Sequence, residues 1–323
     1  MRDKAAFQRG VARLQAMGYE VELDQAALNR HTRFAGDDAT RIAAIGRAAA
    51  SGADVAMISR GGYGLTRILP GLPYKAIAKA VERGTDFVGL SDFTAFQSAL
   101  LAKTGAMSWA GPDVEADFGR AEGPDDIMQA CFEDLLLGQG EGAGWRWPGA
   151  DYKAPLAGKA ATDAMASTAK TTKTIAVDAQ LAGAVADLSF KKSLLWGGNL
   201  TVLTALLGTP WFPKIKGGIL FVEDVGEHPY RIERMLSQLL HAGVLGQQRA
   251  VLLGQFTQFR LAPHDRGYKL ASVVAWLRRQ IKAPVITGLP FGHVPTKVLL
   301  PVGAQVRLMV QDANAMLLWQ HRH

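Results

Sequence analysis

Asp54-Val55-Ala56-Met57-Ile58-Ser59-Arg60-Gly61-Gly62-Tyr63-Gly64 is the stretch on which the reading of the fold turns. A short apolar run that breaks directly into a glycine-rich turn reads as a strand buried on both faces, the kind that parallel sheets covered by helices contain. On its N-terminal side, Phe7, Val11, Leu14 and Met17 repeat at helical spacing, and Gly18 stops that helix before Val21 and Leu23. Residues 41–50 give a second helix, ended by Ser51-Gly52. On its C-terminal side a further helix precedes the strand Phe87-Val88-Gly89-Leu90, and Phe93, Phe96, Leu100 and Leu101 mark the helix after that. This alternation predicts a Rossmann-like α/β domain with a parallel sheet over residues 1–138.

Composition shifts near residue 138. Gly138-Gln139-Gly140-Glu141-Gly142 reads as a linker, and residues 159–173, rich in Ala, Thr and Lys, read as a mobile surface loop. Residues 139–190 are therefore expected to be linker and insertion. Order returns near Leu194-Leu195-Trp196. Strands at 219–222, 250–253, 284–287, 298–300 and 306–310, with helices at 230–241 and 271–281, predict a smaller α/β C-terminal domain over 191–323.

The bulk numbers exclude several classes. With 48% hydrophobic and 20% charged residues in 323, the chain can build a sizeable core, and two domains are expected. The single cysteine, Cys131, rules out an internal disulfide and a cysteine-cluster metal site, and its apolar neighbours make it a small core residue. No apolar stretch of about 18 residues and no signal-peptide core is present, so no membrane association and a cytoplasmic location are expected. The net charge of +7 is scattered, with only pairs such as Lys191-Lys192, and no basic and aromatic residues interleave, so nucleic acid is not an expected partner.

Four places carry candidate chemistry. Gly89-Leu90-Ser91-Asp92-Phe93-Thr94 sets a serine where a strand gives way to a helix, with a hydroxyl above the sheet and free helix N–H groups nearby. The same junction also makes a good helix N-cap. Arg60-Gly61-Gly62-Tyr63-Gly64 lacks both the dinucleotide and the P-loop spacing, whereas an oxyanion hole of glycine amides fits it. Glu223 ends a strand, with Asp224 and Glu227 close behind, and the residues alone leave open which carboxylate matters. His293, in the turn Pro290-Phe291-Gly292-His293-Val294-Pro295, is a better acid-base candidate than the other six histidines.

Taken together, Arg60-Gly61-Gly62-Tyr63-Gly64, Gly89-Leu90-Ser91-Asp92-Phe93-Thr94, Gly197-Gly198-Asn199-Leu200, the run from Leu220-Phe221-Val222-Glu223-Asp224 through Glu227-His228-Pro229-Tyr230-Arg231, and Gly288-Leu289-Pro290-Phe291-Gly292-His293 closely resemble the LD-carboxypeptidase family. The resemblance spans nearly the whole chain. It implies a serine carboxypeptidase acting on murein tetrapeptide in peptidoglycan recycling, related to the microcin C immunity peptidases. It assigns Ser91 as nucleophile, His293 as general base and Glu223, not Glu227, as the acid that orients the imidazole. The implied oxyanion donors are the amide of Asp92 and one from Gly61-Gly62. Arg231 is the candidate for the substrate carboxylate, with surface or helix packing as its other reading. The triad draws on both halves of the chain, so the active site is expected between the domains. No metal or cofactor is implied, since no His-Glu-x-x-His helix is present. The expected partner is murein tetrapeptide or a related peptide, and a homodimer is one assembly open to such a chain.

Two departures from the family accompany the resemblance. Relatives begin with an apolar strand that is absent ahead of the helix opening at Asp3, so the first sheet is expected to be one strand short. The segment at 152–186 is longer than expected. Two further readings stand beside the first. One is a detoxifying peptidase or amidase acting on a peptide-nucleotide antibiotic, for which Trp109, Trp145 or Trp147 would clamp a nucleobase. The other is a non-catalytic muropeptide-binding protein.

Overall fold

The computed structural model describes residues 3–139, 142–147, 188–311 and 313–320. The helix Lys4–Ala16 starts on Asp3, whose carboxylate accepts from the Ala6 N–H, and buries Phe7 and Leu14. Asp37 caps the second helix, Asp38–Ala50, in the same way. The chain then forms β1 (Val55–Met57), the helix Tyr74–Glu82, β2 (Asp86–Gly89), the helix Thr94–Thr104 and β3 (Ser108–Ala110). β1 pairs with β2 and β2 with β3, all parallel, as the alternation predicts. The helix Thr94–Thr104 runs between the two sheets, with Ala95, Phe96, Ala99 and Leu100 fully buried.

Among the described residues, β1 is bonded to a neighbour on one side only. Along its other side lies a cavity of about 780 Å³, walled by apolar residues of the first two helices such as Phe7, Val11, Ile45 and Ala48.

Among the described residues, the second sheet contains seven strands, in the order β4 (Gly142–Arg146), β11 (Asn314–Trp319), β10 (Gln305–Gln311), β5 (Leu188–Asn199), β6 (Ile219–Val225), β7 (Ala250–Thr257), β8 (Val285–Thr287). β5 to β8 are parallel, and β4, β11 and β10 continue the sheet antiparallel. The half expected to be the smaller carries the larger sheet. The helices Pro229–His241 and Leu270–Gln280 match the apolar periodicity to within a residue.

Two boundaries are corrected. Residues 142–146, expected as linker, are a strand: Ala143 and Trp145 alternate into the core while Gly142, Gly144 and Arg146 face out. Their pairing partner β11 lies about 170 residues downstream in sequence, which no local pattern reveals. The strand expected at 298–300 is β9 (Leu300–Val302), and it pairs with β3 of the first sheet, not with the second. Leu299, Leu300 and Val302 are buried there, so the chain returns to the first sheet before β10. The loop at 159–173 and the insertion at 152–186 lie outside the described residues. Among the described residues, no helix is long and apolar enough to cross a membrane.

Candidate active site

Ser91 follows β2 and opens a tight 3-10 turn, Ser91–Phe93, that feeds the helix Thr94–Thr104. Its φ of +64° lies in the left-handed region, which a residue with a Cβ enters at a cost of about 1–2 kcal/mol. The surroundings hold it there. The buried Asp92 carboxylate accepts the Leu65 N–H at 2.7 Å, tying the serine turn to the glycine-rich loop. Burial pushes the Asp92 carboxyl above its usual range, opposed by the amides of Leu65 and Gly64.

The glycine-rich loop approaches Ser91 closely. A Cβ on Gly61 would stand 2.8 Å from the Ser91 Cβ and 3.2 Å from its Oγ, so only glycine fits. The Gly61 N–H is turned toward Asp113 Oδ2 at 3.4 Å. The Gly61 carbonyl accepts from Arg60 Nη1 at 2.9 Å, and Arg60 Nε lies 3.2 Å from Glu115 Oε1. In a trans peptide the N–H points opposite to the carbonyl, so the Gly62 N–H faces away from Arg60. Of the turn expected to supply one oxyanion donor, the Gly61 amide thus contacts Asp113, and the Gly62 amide is directed away from Arg60.

Glu223 lies at an irregularity of the β6–β7 ladder. Val222 pairs with Leu253 and Asp224 with Phe256, so Gly254 and Gln255 oppose Glu223 alone. Bulges of this kind re-aim a side chain. Gly254 leaves the space, since a Cβ there would meet the Phe291 carbonyl at 2.5 Å. The Glu223 side chain is 1% exposed, and its Oε2 lies 2.8 Å from His293 Nδ1. A carboxylate acceptor there fixes the proton on Nδ1 and leaves Nε2 as the basic nitrogen. Asn199, paired with Glu223 across β5–β6, donates to Glu223 Oε1 at 3.2 Å and to Asp224 Oδ1 at 3.0 Å. Asp224 also accepts from the Thr201 N–H and hydroxyl, so it is tied to the start of the next helix.

The His293 imidazole is drawn two ways. Its burial favours the neutral form, the hydrogen bond and charge of Glu223 favour the cation, Lys297 opposes it and Asp224 supports it. The balance is a pKa above the usual histidine value. The loop is pinned on both sides: the Gln255 N–H donates to the Phe291 carbonyl at 2.8 Å, and the Thr296 hydroxyl donates to Asp125 Oδ2 at 2.6 Å.

The structure thus brings Glu223 and His293 into contact. It sets Ser91 one helical turn before Thr94, whose hydroxyl accepts the Asn199 N–H at 2.9 Å. Glu227 is outside this chain of contacts, 3.6 Å from Arg231 in a half-exposed ion pair. Arg231 Nε also donates to the Tyr230 hydroxyl at 3.1 Å. The tryptophans expected as a nucleobase clamp are core residues: Trp109 donates to Asp86, Trp145 donates to the Thr287 carbonyl, and Trp147 is 2% exposed. An indole held edge-on inside the core offers no face to a ligand. Asn199 and Thr94 were not singled out for a role in the sequence reading. The signal was available, a polar residue ending a strand after Gly197-Gly198, but its partner is a tertiary fact.

Comparison with known proteins matches residues 1–111 to the LD-carboxypeptidase N-terminal domain and residues 192–308 to the LD-carboxypeptidase C-terminal domain. A protein of Synechocystis sp. bearing a carboxypeptidase name is 30% identical over 95% of this chain and 87% of its own length. The microcin C7 self-immunity protein of Escherichia coli is 26% identical over 82% of this chain and 74% of its own. The crystal structure of muramoyltetrapeptide carboxypeptidase from Oxalobacter formigenes superposes with a TM-score of 0.80 at 37% identity, covering 99% of this chain and 96% of that one.

Proposed function

Since the chain belongs to the LD-carboxypeptidase family and is a serine carboxypeptidase, we propose that it hydrolyses the L,D peptide bond that releases terminal D-alanine from murein tetrapeptide, in the cytoplasm, as a step of peptidoglycan recycling. Ser91 attacks the carbonyl carbon before the terminal residue, and His293 Nε2 takes the hydroxyl proton and returns it to the leaving amine. Glu223 keeps the imidazole in the tautomer that leaves Nε2 free and stabilises the imidazolium that forms. The amides of Gly62 and Asp92 receive the developing oxyanion, and Arg231 receives the substrate carboxylate. Acyl transfer then ends with water attacking the ester on Ser91.

One observation carries this reading: a fully buried carboxylate, aimed by a bulge, lies 2.8 Å from the ring nitrogen of a partly exposed histidine. A buried carboxylate bonded to an imidazole is a costly arrangement that proton transfer uses. Similarity to the microcin protein favours the second reading, a detoxifying peptidase, although the burial of Trp109, Trp145 and Trp147 removes the clamp expected for it. Incubation with murein tetrapeptide, with its C-terminal amide and with a peptide-nucleotide sulfamate, followed by mass analysis of the products, tests the proposal. Release of D-alanine from the free acid, with the amide at least tenfold slower, is expected. Comparable turnover of acid and amide would refute the carboxypeptidase specificity, and turnover of the nucleotide alone would select the second reading.

A further inference from the structure

Behind the candidate site lies a second group of buried charges that the proposed reaction leaves unused. Lys297, four residues after His293, is 3% exposed, and its Nζ lies 2.5 Å from Asp117 Oδ1. Asp117 is 3% exposed and belongs to the short π-helix Val114–Phe118 that follows β3, in the half of the molecule that holds Ser91. Asp117 Oδ2 accepts the Asp113 N–H at 2.9 Å, and Asp113 in turn accepts the N–H of Gly61, the residue packed on Ser91. The same π-helix carries Glu115, the partner of Arg60. One line of contacts therefore joins the histidine loop to the backbone that touches the serine. A buried ion pair gains little net stability over an apolar pair of similar shape, so its presence calls for another account.

We infer that Lys297 is a positioning residue for His293: its ion pair with Asp117 fastens the imidazole loop to the half of the molecule that carries Ser91, and its ammonium is the fixed positive charge set against Glu223 and Asp224 around that imidazole. The inference rests on the proposed triad. The charged groups facing the imidazole are Glu223 and Asp224 from β6 and Lys297 from its own loop, with Asp113 and Asp117 beyond the lysine. Glu223 and Asp224 favour the imidazolium, and Lys297 opposes it. Without that ammonium the imidazole holds its proton to higher pH, and the neutral base that Ser91 requires is lost there.

The test compares Lys297→Met, Lys297→Arg and the double variant Lys297→Met with Asp117→Asn, which removes both partners of the ion pair together. Two readouts are taken on each: the kcat/KM–pH profile, and the NMR titration of His293, assigned with His293→Gln. In Lys297→Met and in the double variant, the acidic limb and the His293 titration move to higher pH. In both, kcat falls about tenfold or more with KM nearly unchanged, the result of a misplaced base. Lys297→Arg keeps both midpoints at the parent values. Parent midpoints in the folded double variant would overturn the inference. Because the NMR titration needs no turnover, it separates the two failures: activity surviving in Ser91→Ala would end the triad reading and still leave the charge measurement to be read.

Discussion

Ser91 occupies a backbone conformation that serine avoids, and two consequences follow at that position. Strain at a functional turn persists because the surroundings over-determine it, here through the Asp92 carboxylate on Leu65 and the packing of Gly61. Ser91→Ala removes the hydroxyl and keeps the strain, whereas Ser91→Gly removes both. Both variants should lose about 10³-fold or more in kcat/KM, while Ser91→Gly should melt at higher temperature than Ser91→Ala, because glycine enters the left-handed region freely. Activity within tenfold of the parent in either would sink the nucleophile assignment, and equal melting points would remove the strain argument. A companion comparison distinguishes the carboxylates. Glu223→Gln replaces a buried acceptor bonded to His293 by an amide that cannot stabilise imidazolium, and should cost several orders of magnitude. Glu227→Gln loosens only the pair with Arg231 and should cost about tenfold or less. Kinetics of the two single variants check the ranking, and the opposite order would move the acid to Glu227.

Elements decide where those residues meet, and here the sequence was legible in some places and opaque in others. Ser91 and His293 each sit at a turn beside glycine or proline, a local signal that needs no knowledge of partners, whereas Glu223 lies inside β6 and only the family resemblance told it from Asp224 and Glu227. The tryptophans were misread because composition does not say which way a ring faces, and Trp145 looks out of a linker until β11 is laid beside it. Asn199, Asp113, Asp117 and Lys297 went unassigned because each acquires its meaning from a residue at least 24 positions away, or from an element with no periodic pattern. The glycine-rich loop lies between these cases: its type was legible, but the contact of its Gly61 amide with Asp113, 52 positions away, was not. Gly61→Ala tests that geometry. A Cβ at 2.8 Å from Ser91 must push either the loop or the serine aside, so kcat should fall about 10²-fold. The fold should persist, since the displacement is confined to a loop edge. Near-parent kcat, with circular dichroism and melting unchanged, would show that the loop yields without affecting Ser91.

At the scale of the whole molecule, the two sheets are joined by polar contacts as well as by apolar packing. Asn199 on Thr94, Thr296 on Asp125 and Lys297 on Asp117 all cross from one sheet's half to the other, and β9 returns to the first sheet directly after the histidine loop. Burying carboxylates at such a junction makes stability depend on pH in an unusual direction. Burial, and then the charge of Asp117, push the Asp113 carboxyl up to about 6 from its ordinary 3.8, against the amides of Ala116 and Gly61 and the charge of Lys297. For an acid raised in the folded state, the contribution is fully present below the unfolded pKa and is lost as pH rises through the folded one, so the window here is about pH 4 to 6. The loss amounts to at most about 3 kcal/mol from that shift. Asp113→Asn carries no such titration. Its Oδ1 can still accept the Ala116 N–H, while its amide nitrogen faces the long Gly61 contact, a small cost that does not vary with pH. The variant should therefore gain stability relative to the parent between pH 4 and pH 7, whatever its offset at the acid end. Thermal unfolding of both proteins across that range measures the difference. Melting curves that stay parallel from pH 4 to 7 would mean that Asp113 ionises in the fold as it does in water, and that the junction tolerates its charge without loss.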